Sequence, residues 1–430
     1  MSETATAVGL GPRLQALGRR SAVQGGYLAA AMVIAGGFDY LVNIVVGRRL
    51  PPTEFFIFVT VTAVIQVMVQ VTNVIRNVVA YYTAEATVAP DRPARVGDVL
   101  RRSWGWAWRW GLVATAAMAL LSPLLARFLR IPTPWPLWAA SFALLLLFLR
   151  PVSDGALQGT QHFYGLGTVQ MLQSFLRLVF TGALLWFGAQ AAGTIVALPL
   201  GSTVALMLAL VLLSGYFRAP KPAGPPRAIS WRYSAYTLAG LLAFALMANV
   251  DPIVVRRFFG DAAAAAYAPV VTLGKMNLFV PLGIGLVLFP KATQRRAAGR
   301  DPRPVLLLAL AATLLPGLLL TGLYWLYPGE IVHLVFGPAY ANPGPLLAMV
   351  GLATTLYAGV NIWLLYALSL ERRAYIITLV VIVAAQITAM WIFHARLTTI
   401  AAIMIATGIL GNAAGAALTL SGGTARNMER

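Results

Sequence analysis

Hydrophobic positions in this chain come in long, nearly continuous runs, broken by short polar or basic stretches. The runs fall near residues 24–46, 55–80, 104–126, 135–157, 162–188 and 191–217, then 233–255, 262–288, 304–325, 345–367, 374–393 and 398–420. A helix rises ~1.5 Å per residue, so roughly 20 residues cross a hydrocarbon core of ~30 Å. The pattern therefore predicts about twelve transmembrane helices. Barrel strands would be shorter and would alternate apolar with polar positions, which these runs do not. The expected fold class is all-α integral membrane.

Composition agrees. Of 430 residues, 59% are hydrophobic and 10% charged, with mean hydropathy +0.78; soluble domains carry about 25% charged residues. The chain has no cysteine, which excludes disulfides and thiolate metal sites. Its histidines, His162, His333 and His394, are far apart, so no metal site and no cofactor is expected. The first 23 residues lack a short apolar core followed by a small-residue cleavage site, so a cleaved signal peptide is not expected.

The net charge of +19 would suit a nucleic-acid binder, but the basic residues sit mainly between the apolar runs. Loops expected on one side hold Arg13, Arg19, Arg20, Arg92, Arg95, Arg101, Arg102, Arg218, Lys221, Arg227 and Arg232. Lys291, Arg295, Arg296, Arg300, Arg303, Arg372, Arg373, Arg426 and Arg430 fall on that side too. The opposite loops hold only Arg48, Arg49, Arg127, Arg130, Arg256, Arg257 and Arg396. By the positive-inside bias the first set is cytoplasmic, and both termini with it. Anionic headgroups suffice to balance the excess charge, and no nucleic-acid partner is expected.

The longest loop on the basic side, Arg218-Ala-Pro-Lys-Pro-Ala-Gly-Pro-Pro-Arg227, is proline-rich and free of acids, as a semi-rigid connector would be. It divides the chain into an N-terminal lobe at 1–217, a linker at 218–232 and a C-terminal lobe at 233–430. The halves echo each other weakly: Ile44-Val45-Val46 before Arg48 matches Ile253-Val254-Val255 before Arg257, with Phe58 falling on Tyr267 and Gln66 on Lys275. A repeat of this kind is a common transporter architecture, with substrate bound between the halves.

Polar groups inside apolar spans are costly and face the bundle interior. The second span carries Thr62, Gln66, Gln70, Asn73 and Asn77 on one helical face. The fifth carries Gln170, Gln173, Ser174, Arg177 and Thr181; the tenth Thr354, Tyr357 and Asn361; the first Asp39 and Asn43. Interhelical hydrogen bonds alone account for such groups at ~0.6 kcal/mol each, whereas a whole amide stripe fits a wet cavity. Among the cations within spans, Arg109 and Arg150 lie within snorkelling reach of the surface. Arg76 is intermediate. Arg177 and Lys275 sit near mid-span, where a charge costs roughly 2.5–3.5 kcal/mol. Either an anionic substrate or carboxylate partners would offset that cost, with Asp39–Arg177 and Asp251–Lys275 as candidate pairs. Pro123, Pro199, Pro281 and Pro316 interrupt spans, as static kinks or as hinges. No P-loop, HExxH or nucleophile-elbow motif with its context occurs, so the chain does not read as an enzyme.

Several stretches carry a family resemblance: Val74-Ile75-Arg76-Asn77 with Tyr81-Tyr82-Thr83-Ala84-Glu85, Ala156-Leu157-Gln158-Gly159-Thr160-Gln161, and Gln170 to Leu178. Asn249-Val250-Asp251, Ala266-Tyr267-Ala268, Leu288-Phe289-Pro290 and Val335-Phe336-Gly337-Pro338-Ala339-Tyr340 continue it. In order and spacing, over nearly the whole chain, these resemble the polysaccharide-exporter branch of the multidrug/oligosaccharidyl-lipid/polysaccharide flippase superfamily. The resemblance implies a V-shaped bundle of two six-helix lobes. Its implied activity is moving polyprenyl-(pyro)phosphate-linked sugars across the bacterial cytoplasmic membrane by alternating access, with polysaccharide assembly proteins as partners. The two further helices usual in the superfamily's lipid II flippases are missing from the pattern. On this reading Arg177, Lys275 and Arg76 meet phosphate, while Gln66, Gln70, Asn73, Gln173 and Asn361 meet sugar; Asp39 and Asp251 couple ions or pair with cations. Two other functions stay open: a cation- or proton-coupled multidrug antiporter, against which mid-span cations argue, and a membrane glycosyltransferase or ligase. The latter usually needs a large outer loop or an acid cluster, and the longest outer loop, Leu326 to Gly344, carries only Glu330 as a charge.

Overall fold

The computed structural model describes residues 10–87, 89–222, 231–278, 301, 303–370 and 372–420. Six helices form the first half: α1 Leu10–Arg49, α2 Pro52–Ala86, α3 Arg92–Phe128, α4 Trp135–Gly159, α5 Phe163–Trp186 and α6 Ala191–Phe217. The second half has α7 Trp231–Phe258 and α8 Asp261–Gly274, followed by a 3-10 turn Lys275–Leu278. It continues with α9 Arg303–Leu326, α10 Pro328–Phe336, α11 Leu346–Ser369, α12 Arg373–Ile392 and α13 Leu397–Leu420. No strand occurs among the described residues. Eleven of the described helices are long and apolar enough to cross a membrane, and the chain is a multi-pass membrane protein.

Three expectations change. The span expected at 262–288 is helical only to Gly274, where the chain tightens into the 3-10 turn; its remainder, with Pro281 and Leu288-Phe289-Pro290, lies outside the described residues. The segment 326–344, expected as loop, contains helix α10. Pro328 starts it at a position where a missing N–H costs nothing, Glu330 sits in its first turn, and Gly337 ends it at φ 95°. Helices α1 to α3 also extend well beyond the apolar runs that predicted them, because their polar ends continue the same backbone ladder outside the apolar slab.

Packing explains which helices are exposed to lipid. In the first half α2 packs on α4, α1 on α5, α5 on α6, and α4 on α3 and α6. In the second, α11 lies against α9, α13 and α8, so that it is buried on nearly every side. Helix α3 has the opposite character: Leu112, Leu120, Leu124 and the rings of Trp106, Trp108 and Trp110 point outward. Trp side chains beside Arg109, itself exposed, suit a membrane–water boundary. The halves meet where α2 packs on α7 and α8, and where α1 touches α10. One apolar cluster joins them there: Val46, Phe55 and Phe58 from α1 and α2 with Val255, Tyr267 and Phe336. A second cluster, built on Val79, Leu100, Leu149, Leu157 and Leu213, belongs to the first half alone.

Candidate functional site

Close approach of α4 to α2 sets up the site. Gly155 and Gly159, four residues apart, face α2 so tightly that a Cβ on either would lie 2.5 Å from the carbonyl oxygen of Arg76 or Ala80. Small residues at this spacing let helix backbones touch. The contact brings Arg150 and Asp154 of α4 level with Arg76 of α2. Gly201 does the same between α6 and α5, where a Cβ would sit 2.9 Å from the Gln173 carbonyl oxygen.

A cavity of about 310 Å³ lies among α1, α2, α4, α5 and α6. Its polar lining is Asp39, Thr62, Gln66, Thr72, Asn73, Arg76, Arg150, Asp154, Gln170, Gln173, Ser174, Arg177 and Ser202. Two ion pairs stand in its wall. Arg177 Nη1 donates to Asp39 Oδ1 at 2.8 Å, and the Ser174 hydroxyl donates to Asp39 Oδ2 at 2.9 Å. Arg150 Nη2 stands 3.6 Å from Asp154 Oδ2, which also accepts from Gln170 Nε2 at 3.2 Å. Three guanidiniums thus face two carboxylates. Arg76 Nε, Arg150 Nε and Nη2, and Arg177 Nε are buried without a hydrogen-bond acceptor, as is Asp154 Oδ1 without a donor. A buried charged donor left unpaired is costly, and four such donor atoms belong to the arginines of this wall.

Sequence reasoning placed these residues unevenly. Gln66, Asn73, Arg76, Gln173, Arg177 and Asp39 line the cavity. Gln70 stands one layer back, where its Oε1 accepts from Asn73 Nδ2 at 3.0 Å. Asn77 is exposed and outside it. Arg150 does not snorkel: it is 6% exposed, turned inward by Asp154 one helical turn away. Asp154 itself was missed, although an Arg and an Asp four residues apart within one apolar span are an intrahelical pair by spacing alone.

Lys275 and Asn361 are not part of this cavity. Lys275 follows the last residue of α8 and donates to Asn249 Oδ1 at 2.9 Å. Asp251, fully buried, accepts from the Tyr267 hydroxyl at 2.9 Å rather than forming a direct ion pair with Lys275. Around them a second polar network holds Gln386 Nε2 to the Tyr357 hydroxyl at 3.0 Å and to the Met247 carbonyl at 3.1 Å. Thr354, expected on a cavity face, is spent on the Gly274 carbonyl at 2.6 Å. All the described lining residues of the cavity therefore belong to the first half.

A helical membrane bundle with a charged internal cavity is the class defined so far, and solved structures narrow it. The chain superimposes on a multidrug resistance MATE family transporter of the MOP superfamily in an inward-facing conformation, with TM-score 0.70 and 12% identity over 90% of this chain and 99% of that one. An outward-facing structure of a MATE family transporter gives 0.64 and 13%, over 92% and 96%. The lipid II flippase MurJ, inward closed, gives 0.62 and 12%, over 90% and 86%. No family model matches the chain, and no curated protein matches it by sequence. The chain therefore shares its fold with these MATE transporters and with the flippase MurJ.

Proposed function

We propose that this protein is an alternating-access transporter that moves a lipid-linked, anionic glycan across the bacterial cytoplasmic membrane, its two halves acting as lobes and both termini on the cytoplasmic side. The observation that carries this reading is the convergence of Arg76, Arg150 and Arg177 on one membrane cavity with guanidinium N–H groups lacking acceptors. Phosphate oxygens suit them, because charge-assisted bonds to guanidinium are short, strong and often bidentate. A cavity of about 310 Å³ is at the small end of ligand pockets. It is large enough for a phosphate head and too small for a long glycan. Thr62, Gln66, Asn73, Gln170 and Gln173 supply amides and hydroxyls for sugar next to the head group. Membrane lipids and polysaccharide assembly proteins are the further partners this role implies.

A second reading, a proton- or cation-coupled multidrug antiporter, draws on Asp39 and Asp154 in the same cavity. Three guanidiniums against two carboxylates disfavour a cationic drug there. One experiment separates the two. In proteoliposomes carrying a polyprenyl-diphosphate-linked oligosaccharide in the inner leaflet, the protein should make the glycan accessible to an external lectin, and protein-free vesicles should not. Failure to expose the glycan, together with gradient-driven uptake of a cationic dye, would establish the antiporter instead.

A further inference from the structure

We infer that Arg48 and Arg256 form a reciprocal clasp that holds the two halves closed at one end of the bundle and has to open in each transport cycle, an inference that rests on the alternating-access reading above. Each arginine stands near the end of the first helix of its half, α1 or α7. Each reaches into the opposite half and binds main-chain carbonyls at a helix C-terminus. Arg48 Nε donates to the Val335 carbonyl at 2.7 Å, and its Nη2 donates to that of Leu334, both in the last turn of α10. Arg256 Nε donates to the Leu129 carbonyl at 3.0 Å and its Nη2 to that of Arg130 at 2.6 Å, just past α3.

The carbonyls chosen are those a helix leaves unsatisfied. The last turn has no intrahelical donors and carries the negative end of the helix dipole, so a guanidinium is favourable there. At α3 the chain turns with Arg130 at φ 52°, Ile131 N–H returning to the Ala126 carbonyl at 2.9 Å. This closed-off end points two carbonyls at Arg256. That side chain is 4% exposed, and Asp261 of its own half holds its Nη1 at 2.9 Å. The guanidinium therefore stays oriented when the opposite half withdraws.

Aromatic packing flanks both arginines. Beside Arg48, the Tyr340 hydroxyl donates to the Gly47 carbonyl at 2.7 Å, and the rings of Phe55, Phe336 and Tyr340 lie 5.4–6.2 Å apart. A Cβ on Gly47 would lie 2.5 Å from the Phe336 ring. Beside Arg256, the Arg257 guanidinium lies 5.6 Å from the centre of the Phe128 ring, which stacks on Trp391 at 6.0 Å. The two contacts are built alike: in each, an arginine ending the first helix of one half grips the segment that follows the third helix, α3 or α9, of the other. Five hydrogen bonds between the halves thus lie at this one end. On opening, guanidiniums and carbonyls return to water, so the net strength of each bond is modest and the clasp is reversible.

The chain contains no cysteine, so spin labels can be placed at Thr53 and Pro338, exposed positions on opposite halves near the clasp, and their separation read by pulsed dipolar spectroscopy in nanodiscs. The double variant Arg48→Ala, Arg256→Ala should raise the ratio of long- to short-distance populations by at least about tenfold, since several charge-assisted bonds are lost. Arg48→Lys and Arg256→Lys should fall between, because an ammonium cannot fork onto two carbonyls. Tyr340→Phe removes one hydroxyl and keeps the ring; it should shift the ratio in the same direction by less, and it serves where the buried Arg256 variant fails to fold. Unaltered distance distributions in folded Arg48→Ala and Tyr340→Phe overturn the clasp. If wild type changes distance with substrate and the variants follow it unaltered, the clasp alone is wrong. A single fixed distance in every protein and condition removes the clasp and the alternating-access reading together.

Discussion

Arg177 Nη1 holds Asp39 Oδ1 at 2.8 Å across the contact of α5 with α1, 138 positions apart in sequence. The arginine side chain is 9% exposed and the aspartate 37%. The pair thus forms at the wall of the cavity, with the carboxylate the more exposed partner and the guanidinium buried. Asp39→Asn leaves that buried guanidinium without its counter-charge. Breaking a buried pair costs ~3–5 kcal/mol, and the partial exposure of Asp39 reduces this to about 1–3 kcal/mol. The variant should melt at lower temperature in detergent, and Asp39→Asn with Arg177→Gln should regain most of the loss. If Asp39→Asn instead keeps its melting point and loses only gradient-driven accumulation, Asp39 is a coupling group.

Removing a cavity guanidinium should abolish transport without unfolding the protein where the remaining neighbours stay neutralised. Arg76→Ala is the cleanest case, since no ion pair to a carboxylate holds Arg76 among the described residues. We expect loss of glycan exposure in proteoliposomes at normal protein level and melting point, with Arg76→Lys partly active because the charge remains and the fork is gone. Wild-type transport by Arg76→Ala would remove it from the phosphate site.

Asp154 belongs to the same wall, 3.6 Å from Arg150 and bonded by Gln170. Asp154→Asn keeps its shape and removes its charge; it lowers stability as Asp39→Asn does, and in the folded protein Arg150 gains freedom to bind an entering anion. Tighter substrate binding with slower release is expected: a lower half-saturating substrate level and a lower maximal rate in the flipping assay. Equal values for variant and wild type would make Asp154 a packing residue only.

Backbone contact at Gly155 leaves no room for a methyl group, which would lie 2.5 Å from the Arg76 carbonyl oxygen. Gly155→Ala should push α4 off α2 and destabilise by about 1–3 kcal/mol, as overpacking does. Gly182→Ala in α5, where a Cβ meets nothing within 4 Å, is the matched control and should be neutral or slightly stabilising, since alanine is the better helix former. Melting curves of the two variants test the contact; equal behaviour would refute it.

Orientation is open to thiol chemistry on the cysteine-free chain. An impermeant reagent added outside intact cells should label Ala339→Cys, at an exposed position, and leave Gly224→Cys untouched, as the loop charges require. Labelling of Gly224→Cys from outside would invert the topology.

The sequence by itself determined that the chain spans a membrane as helices, since backbone polar groups in lipid have to be satisfied within each segment. That rule acts on runs of about 20 residues and needs no knowledge of neighbours. It also marked Arg177, Gln173, Asn73 and Gln66 as interior, because polar side chains are expelled from lipid wherever the helix is placed. What it could not decide was which interior they share. Lys275 and Arg177 look equivalent as mid-span cations, yet Lys275 serves Asn249 in the second half while Arg177 faces the cavity of the first. Arg150 sits near enough to a helix end to reach water, and only the approach of α4 to α2 through Gly155 and Gly159 turns it inward. The clasp of Arg48 and Arg256 was equally hidden, because its acceptors are main-chain carbonyls, which every residue carries and no sequence pattern marks. Hydrophobicity is a property of each side chain and survives in one dimension; partnership depends on the distance between separate segments, and only the tertiary packing sets that distance.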